Sequence, residues 1–199
     1  MAIKAIIFDI DGVLADSREA VVHNTKELMH EYGYATLDRK VEGMSSAHSA
    51  ESVLTALAPE LEHDQEKMKE MLARLSEITA ENMGLVKPTL LVEKLPALSK
   101  KYLLAAATNR KRSAHMVLEK FGVEKYFGAV LTSADCPPKP HPEMLLKAAE
   151  KICVKPSGCM FVGDNREDEQ AAVAAGMRFM LVDGAKGEEG CRAFLKEFC

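Results

Sequence analysis

From residue 88 onward the chain alternates between two kinds of segment, and that rhythm limits its possible folds more than any other feature. Short apolar runs at 102–107, 128–132, 158–162 and 178–182 read as strands. Between them lie helical patterns at 90–100, 112–121, 143–152 and 166–175, with Gly122 and Gly176 placed as C-caps behind the second and fourth. A further run, 3–8, opens the chain and is stopped by Asp9-Ile10-Asp11-Gly12. Near-continuous apolar strands separated by helices need both sheet faces covered. The expected fold is therefore α/β: a doubly wound, mostly parallel sheet of five strands in a Rossmann-like core.

Residues 17–84 break the rhythm. They are helical, with no convincing strand. Apolar positions fall at Val21, Val22, Leu28 and Met29 in a helix over 19–32, and at Met68, Met71, Leu72, Leu75 and Ile78 in one over 63–83. The economical reading is an all-helical domain, 17–84, inserted into an α/β core made of 1–16 and 85–199.

Composition narrows the function classes. With 47% hydrophobic and 28% charged residues the chain is an ordinary globular protein rather than a fibrous or disordered one. Lys plus Arg is 26 against 30 for Asp plus Glu, a net charge of −4, which gives no electrostatic footprint for nucleic acid or an anionic membrane. No run approaches the about 18 apolar residues of a membrane span. The first apolar run is too short for a signal peptide. Five cysteines, an odd number without a C-x-x-C pair, suit a reducing cytoplasm.

The chemistry-bearing residues sit where strands end. In open α/β sheets, ligands bind outside the carboxyl ends of the strands. Asp9 and Asp11 follow the first strand, and alternation along a strand would point both carboxylates to one side. Asp164 follows the strand at 158–162, and Asp168 lies one helical turn later. Each pair also has an ordinary explanation, as turn residues or as helix-start acids beside the positive end of the helix dipole. Four acids converging at one sheet edge would repel one another, and Mg²⁺, which takes oxygen ligands and keeps waters, would relieve that repulsion. Thr108 and Asn109 end another strand and offer a hydroxyl and amides for a phosphate, or simply a turn. Lys139 lies in Pro137-Pro138-Lys139-Pro140-His141-Pro142, where four prolines stiffen the backbone around one ammonium.

Asp9-Ile10-Asp11-Gly12-Val13, Thr108, Lys139 and Gly163-Asp164…Asp168 stand in the order of four motifs of the haloacid dehalogenase superfamily of phosphohydrolases. The chain resembles that superfamily over essentially its whole length, with the helical cap placed after the first motif. Its layout is similar to that of the phosphoglycolate phosphatase type. The resemblance implies a Mg²⁺-dependent phosphatase acting on a small phosphorylated metabolite through an aspartyl-phosphate. It implies Asp9 as nucleophile and Asp11 as general acid and base. It implies a metal held by Asp9, the Asp11 carbonyl and Asp164, with Asp168 behind them, and phosphoryl oxygens held by Thr108, Asn109 and Lys139. Monomer and dimer are both compatible with it.

Related activities are weighed by single positions. Dehalogenases of this fold lack the second acid, which is present here as Asp11. Sugar phosphomutases of the superfamily carry a cap histidine ten residues after it, where this chain has Val21. A phospho-acceptor receiver domain shares the sheet, acids, Thr and Lys, but places its acceptor on an interior strand and has no helical insertion. Substrate choice is expected in the cap, where Ser45, Ser46 and His48 lie in a polar, glycine-containing turn and Arg18 lies near the hinge. A solvated loop is the plainer reading of that turn.

Overall fold

The computed structural model describes residues 2–34, 50–111 and 113–199. They form two compact units, one comprising Met1–Asp16 with Lys87–Cys199, the other Ser17–Val86.

The first unit is built on a five-stranded parallel sheet. In chain order its strands are β1 (Ala5–Phe8), β4 (Leu103–Thr108), β5 (Phe127–Thr132), β6 (Cys159–Gly163) and β7 (Arg178–Leu181). The two short strands that complete the numbering, β2 (Ala15–Asp16) and β3 (Lys87–Pro88), pair antiparallel where the chain leaves and re-enters the unit. The order across the sheet is β5-β4-β1-β6-β7, so β1 lies in the centre. Its register sets Phe8 beside Ala106 on one side and Val162 on the other. Ala-Ile-Ile-Phe suits this place because every residue of β1 is buried and none needs a polar partner beyond the ladder.

Helices cover both faces. Glu143–Lys151 and Arg166–Ala174 contribute Met144, Leu145, Ala148, Ala171 and Ala172 to one core layer with Ile7, Ala105 and Phe161. Three consecutive alanines in β4 are fully buried, and such small side chains permit close approach of covering elements. Elsewhere in the core Phe8 meets Phe194 edge-on at 5.7 Å, and Phe194 stacks on Phe198 at 5.0 Å. Those two rings belong to a C-terminal helix, Gly187–Phe198, that periodicity had not indicated.

The expected helix over 90–100 is broken. A 3₁₀ turn, Leu90–Lys94, is followed by a single α-turn, Leu95–Leu98, that carries Pro96 in its first turn. Proline lacks the N–H that a continuous helix needs there, so the helix restarts instead of running through.

The second unit is helical: Arg18–Glu31, Ala50–Leu57, Gln65–Glu81 and short 3₁₀ turns at Pro59–His63 and Met83–Leu85. Leu28, Met29, Leu54, Leu61, Met71 and Ile78 form its core. The buried face of the helix Arg18–Glu31 is rotated from the expected one. Asn24 and Thr25 are buried, while Val21 and Val22 are only partly so. Asn24 is satisfied there: its carbonyl accepts from Asn82 at 3.0 Å and its amide donates to Thr79 at 3.4 Å. A hydrogen-bonded amide thus takes a place that hydrophobic periodicity assigns to valine. No helix among the described residues is long and apolar enough to cross a membrane.

Candidate active site

The sheet order brings the ends of β1, β4 and β6 side by side, and their carboxyl ends carry the candidate residues. Asp9 directly follows β1. Its backbone N–H still donates to the Val162 carbonyl at 2.9 Å, which fixes the residue as a continuation of the strand. The residue is buried, 5% exposed. Asp164 follows β6, and Asp168 lies in the first turn of the helix Arg166–Ala174. Carboxylate oxygens of Asp9, Asp164 and Asp168 all lie within 4.8 Å of one another.

That helix is capped by Asn165, whose side chain accepts from the Asp168 N–H at 3.0 Å. The Asp168 carboxylate in turn accepts from the Asp164 N–H at 3.1 Å. The two bonds together pin the acidic turn, the second reaching back to the residue before the N-cap. Asp168 is fully buried.

Lys139 joins the acids. Its ammonium is 2.9 Å from Asp9 Oδ1 and 2.7 Å from Asp168 Oδ1, and it sits 5.1 Å from the Phe161 ring centre. The loop that carries it is fixed by Asn109. The Asn109 side chain accepts from the Lys139 N–H at 2.8 Å and donates to the Lys139 carbonyl at 3.1 Å. Asn109 therefore holds the lysine's backbone, a role distinct from touching phosphate. Thr108 is buried at the end of β4, where its hydroxyl accepts from the Arg110 N–H at 3.2 Å.

Asp11 lies just beyond the strand, and its charge acts on both Asp9 and Asp164. The chain continues the ladder through Asp9 and then turns through Gly12, whose φ is +71°. The Asp11 carboxylate consequently meets Arg110, which donates from Nε to Oδ2 and from Nη2 to Oδ1, both at 2.7 Å. Arg110 was visible in the sequence only as the start of a basic run after Asn109. Pairing it with Asp11 requires the register between β1 and β4, which no local pattern contains.

Two glycines make room for the acids. A Cβ on Gly12 would collide with the Asp164 carboxylate, and one on Gly163 would come within 2.5 Å of Asp168. Both requirements arise from neighbours distant in sequence or across a turn.

Electrostatics show what the cluster lacks. Burial pushes Asp9 up to about 8, with Asp168 and Asp11 adding to the rise against the opposing pull of Lys139. Burial, aided by Asp168, pushes Asp164 up to about 6. Lys139 is held charged because Asp9 and Asp168 more than offset its own burial. One ammonium does not neutralise three gathered carboxylates: Lys139 meets Asp9 Oδ1 and Asp168 Oδ1, yet burial and mutual repulsion still raise Asp9 and Asp164. Grouped oxygens of this hardness, with acceptor capacity left over, fit a small divalent cation.

Arg18 opens the helix Arg18–Glu31 and is exposed. Ser45, Ser46 and His48 lie outside the described residues. The five cysteines are free thiols, and burial raises Cys136.

Residues 6–182 match the family model of haloacid dehalogenase-like hydrolases. A pyrophosphatase, PpaX, of Bacillus mycoides is 28% identical over 209 aligned residues, spanning 100% of this chain and 90% of the relative. A haloacid dehalogenase-superfamily hydrolase of Geobacter sulfurreducens is 32% identical with a TM-score of 0.73, covering 90% of this chain and 86% of that one. A Lactobacillus plantarum structure assigned as a phosphoglycolate phosphatase superposes with a TM-score of 0.77 at 24% identity, covering 100% of this chain and 94% of that one.

Proposed function

Because the chain belongs to the haloacid dehalogenase-like hydrolase family, we propose that it is a Mg²⁺-dependent phosphatase that hydrolyses a small phosphate monoester through an aspartyl-phosphate on Asp9. The observation that carries this reading is the buried Asp9 carboxylate at the end of the central strand, held by Lys139 and gathered with Asp164 and Asp168. A solvated turn acid would not be built into such surroundings.

Asp9 attacks phosphorus, and the ester oxygen leaves with a proton from Asp11. Asp11 then accepts a proton from the water that attacks the aspartyl-phosphate, and inorganic phosphate departs. Lys139 neutralises charge on the transferring group, and the Thr108 hydroxyl and Asn109 backbone orient its oxygens. Asp9, the Asp11 carbonyl and Asp164 hold the cation, with Asp168 fixing Lys139 and the acidic turn behind them. A bound divalent ion supplies the positive charge that keeps Asp9 ionised and neutralises the incoming phosphate. Arg18, Ser45, Ser46 and His48 are assigned to choosing among small phosphorylated metabolites. The curated relative's activity makes pyrophosphate one substrate to include in a screen, together with phosphoglycolate.

The test is hydrolysis of p-nitrophenyl phosphate with and without metal. Activity is expected with Mg²⁺, lost in EDTA and absent in Asp9→Asn. Full turnover by Asp9→Asn, or after exhaustive chelation, overturns the reading.

A further inference from the structure

Asp11 is partly exposed, its side chain at 39%, on a turn outside the strand. A carboxylate in that setting samples several rotamers unless something holds it. Arg110 provides a planar fork that grips both of its oxygens. The fork is presented from a fixed base. The Arg110 N–H donates to Thr108, its carbonyl accepts from the Ser133 N–H at 3.1 Å, and Nη1 lies 3.4 Å from the Ser113 hydroxyl. The guanidinium itself is largely buried, with the side chain 10% exposed. Partly exposed ion pairs contribute little to stability, so folding alone gives a weak reason for so well-built a pair.

We infer that Arg110 is a positioning residue for proton transfer: it holds the Asp11 carboxylate on the leaving-group side of Asp9, and the speed of both proton-transfer steps depends on that hold. The inference rests on the acid–base role proposed for Asp11. It does not make Arg110 a phosphate ligand, since its fork is already committed to Asp11. The chemistry predicts which reactions suffer without it. Nitrophenolate departs readily without a proton, whereas an alkoxide does not. Dephosphorylation of Asp9 needs the base whichever ester supplied the phosphate.

Rapid mixing of p-nitrophenyl phosphate with the Mg²⁺-loaded protein separates the two steps. In Arg110→Met the nitrophenolate burst should keep its rate within about threefold. Steady-state phosphate release should fall about 10- to 100-fold, the usual range for losing a group that orients a functional ligand. kcat for an alkyl phosphate should fall by a similar factor with little change in KM. Arg110→Lys should recover part of the loss, because an ammonium supplies the charge without the fork. In an Asp11→Asn background, Arg110→Met should cost little more, as coupled residues are not additive. Should Arg110→Met not fold, Arg110→Lys carries the same comparison with a smaller loss.

Equal loss of burst and steady state overturns the inference, as does a rise in KM for every ester or an undiminished cost in the Asp11→Asn background. An Asp11→Asn enzyme with normal rates for both steps removes the acid–base role itself, and the inference with it. A slow Asp11→Asn whose behaviour Arg110→Met fails to follow removes only the inference.

Discussion

At the scale of single residues, the acids are held by what surrounds them. Gly12 combines a positive φ with a missing Cβ that leaves space for the Asp164 carboxylate. Gly12→Ala should cost about 1–2 kcal/mol for the left-handed backbone alone. The displaced Asp164 should also weaken Mg²⁺ binding at least tenfold, to be read by calorimetric titration; unchanged affinity would remove Asp164 from the ligand set. Lys139→Met leaves buried Asp9 and Asp168 without their shared cation, a loss of the kind that costs about 3–5 kcal/mol. Denaturant unfolding in EDTA should show that loss at pH 8 and a smaller one at pH 5, where the carboxyls can take protons instead. Asp9, Thr108 and Asp164 lie at or just past strand ends that apolar runs mark in the sequence, whereas Lys139 lies in a loop beyond β5 and was singled out by its flanking prolines and by the resemblance. Arg110 and Gly12 could not be assigned their partners that way. What each does is decided by a side chain on another strand, and the registers that align those strands are properties of the assembled sheet.

At the scale of elements, the same distinction separates patterns that are local from those set by packing. The five strands of the sheet and the helices Ser113–Lys120, Glu143–Lys151 and Arg166–Ala174 lie within two residues of their expected bounds, whereas the expected helix over 90–100 is broken and Gly187–Phe198 was not foreseen. The helix Arg18–Glu31 misled, since its buried Asn24 is accepted only by virtue of Asn82 and Thr79 on another segment. The helix Gly187–Phe198 spaces Cys191, Phe194 and Phe198 on one face, but Gly187 and Gly190 obscured it as a helical pattern. The loop bearing Lys139 is an element too, and Asn109 joins it to the end of β4. Asn109→Ala removes both bonds and leaves backbone groups of Lys139 unpaired, at a cost of about 1–3 kcal/mol. Its activity should fall further than that of Asn109→Asp, whose retained oxygen can still accept from the Lys139 N–H. Equal losses in the two variants would mean that the clamp does not position the lysine.

At the scale of the whole molecule, the acidic site couples folding to protons and to metal. Asp9 and Asp164 are raised by burial to about 8 and about 6 from an ordinary value of 3.8. Between pH 4 and 8 the metal-free folded chain therefore binds more protons at these two groups than the unfolded chain does. Stability rises with pH only where the unfolded state holds more protons, so the sign here is the opposite. Their contribution is fully present below pH 3.8 and is lost as pH rises through about 6 and about 8. Mg²⁺ binds the ionised carboxylates and must displace those protons, so it competes poorly at pH 5 and well at pH 8. A ligand at 100 times its Kd stabilises the folded state by about 2.7 kcal/mol. For a chain of this size that is about 5–10 °C in Tm. Thermal unfolding in EDTA and in Mg²⁺ should give curves that nearly coincide at pH 5 and separate by that amount at pH 8. Taking the difference cancels groups elsewhere in the protein that titrate in both conditions. Asp9→Asn should flatten the dependence, because an amide has no proton to yield. A separation that is constant with pH, or that narrows toward pH 8, would place the cation away from these carboxylates.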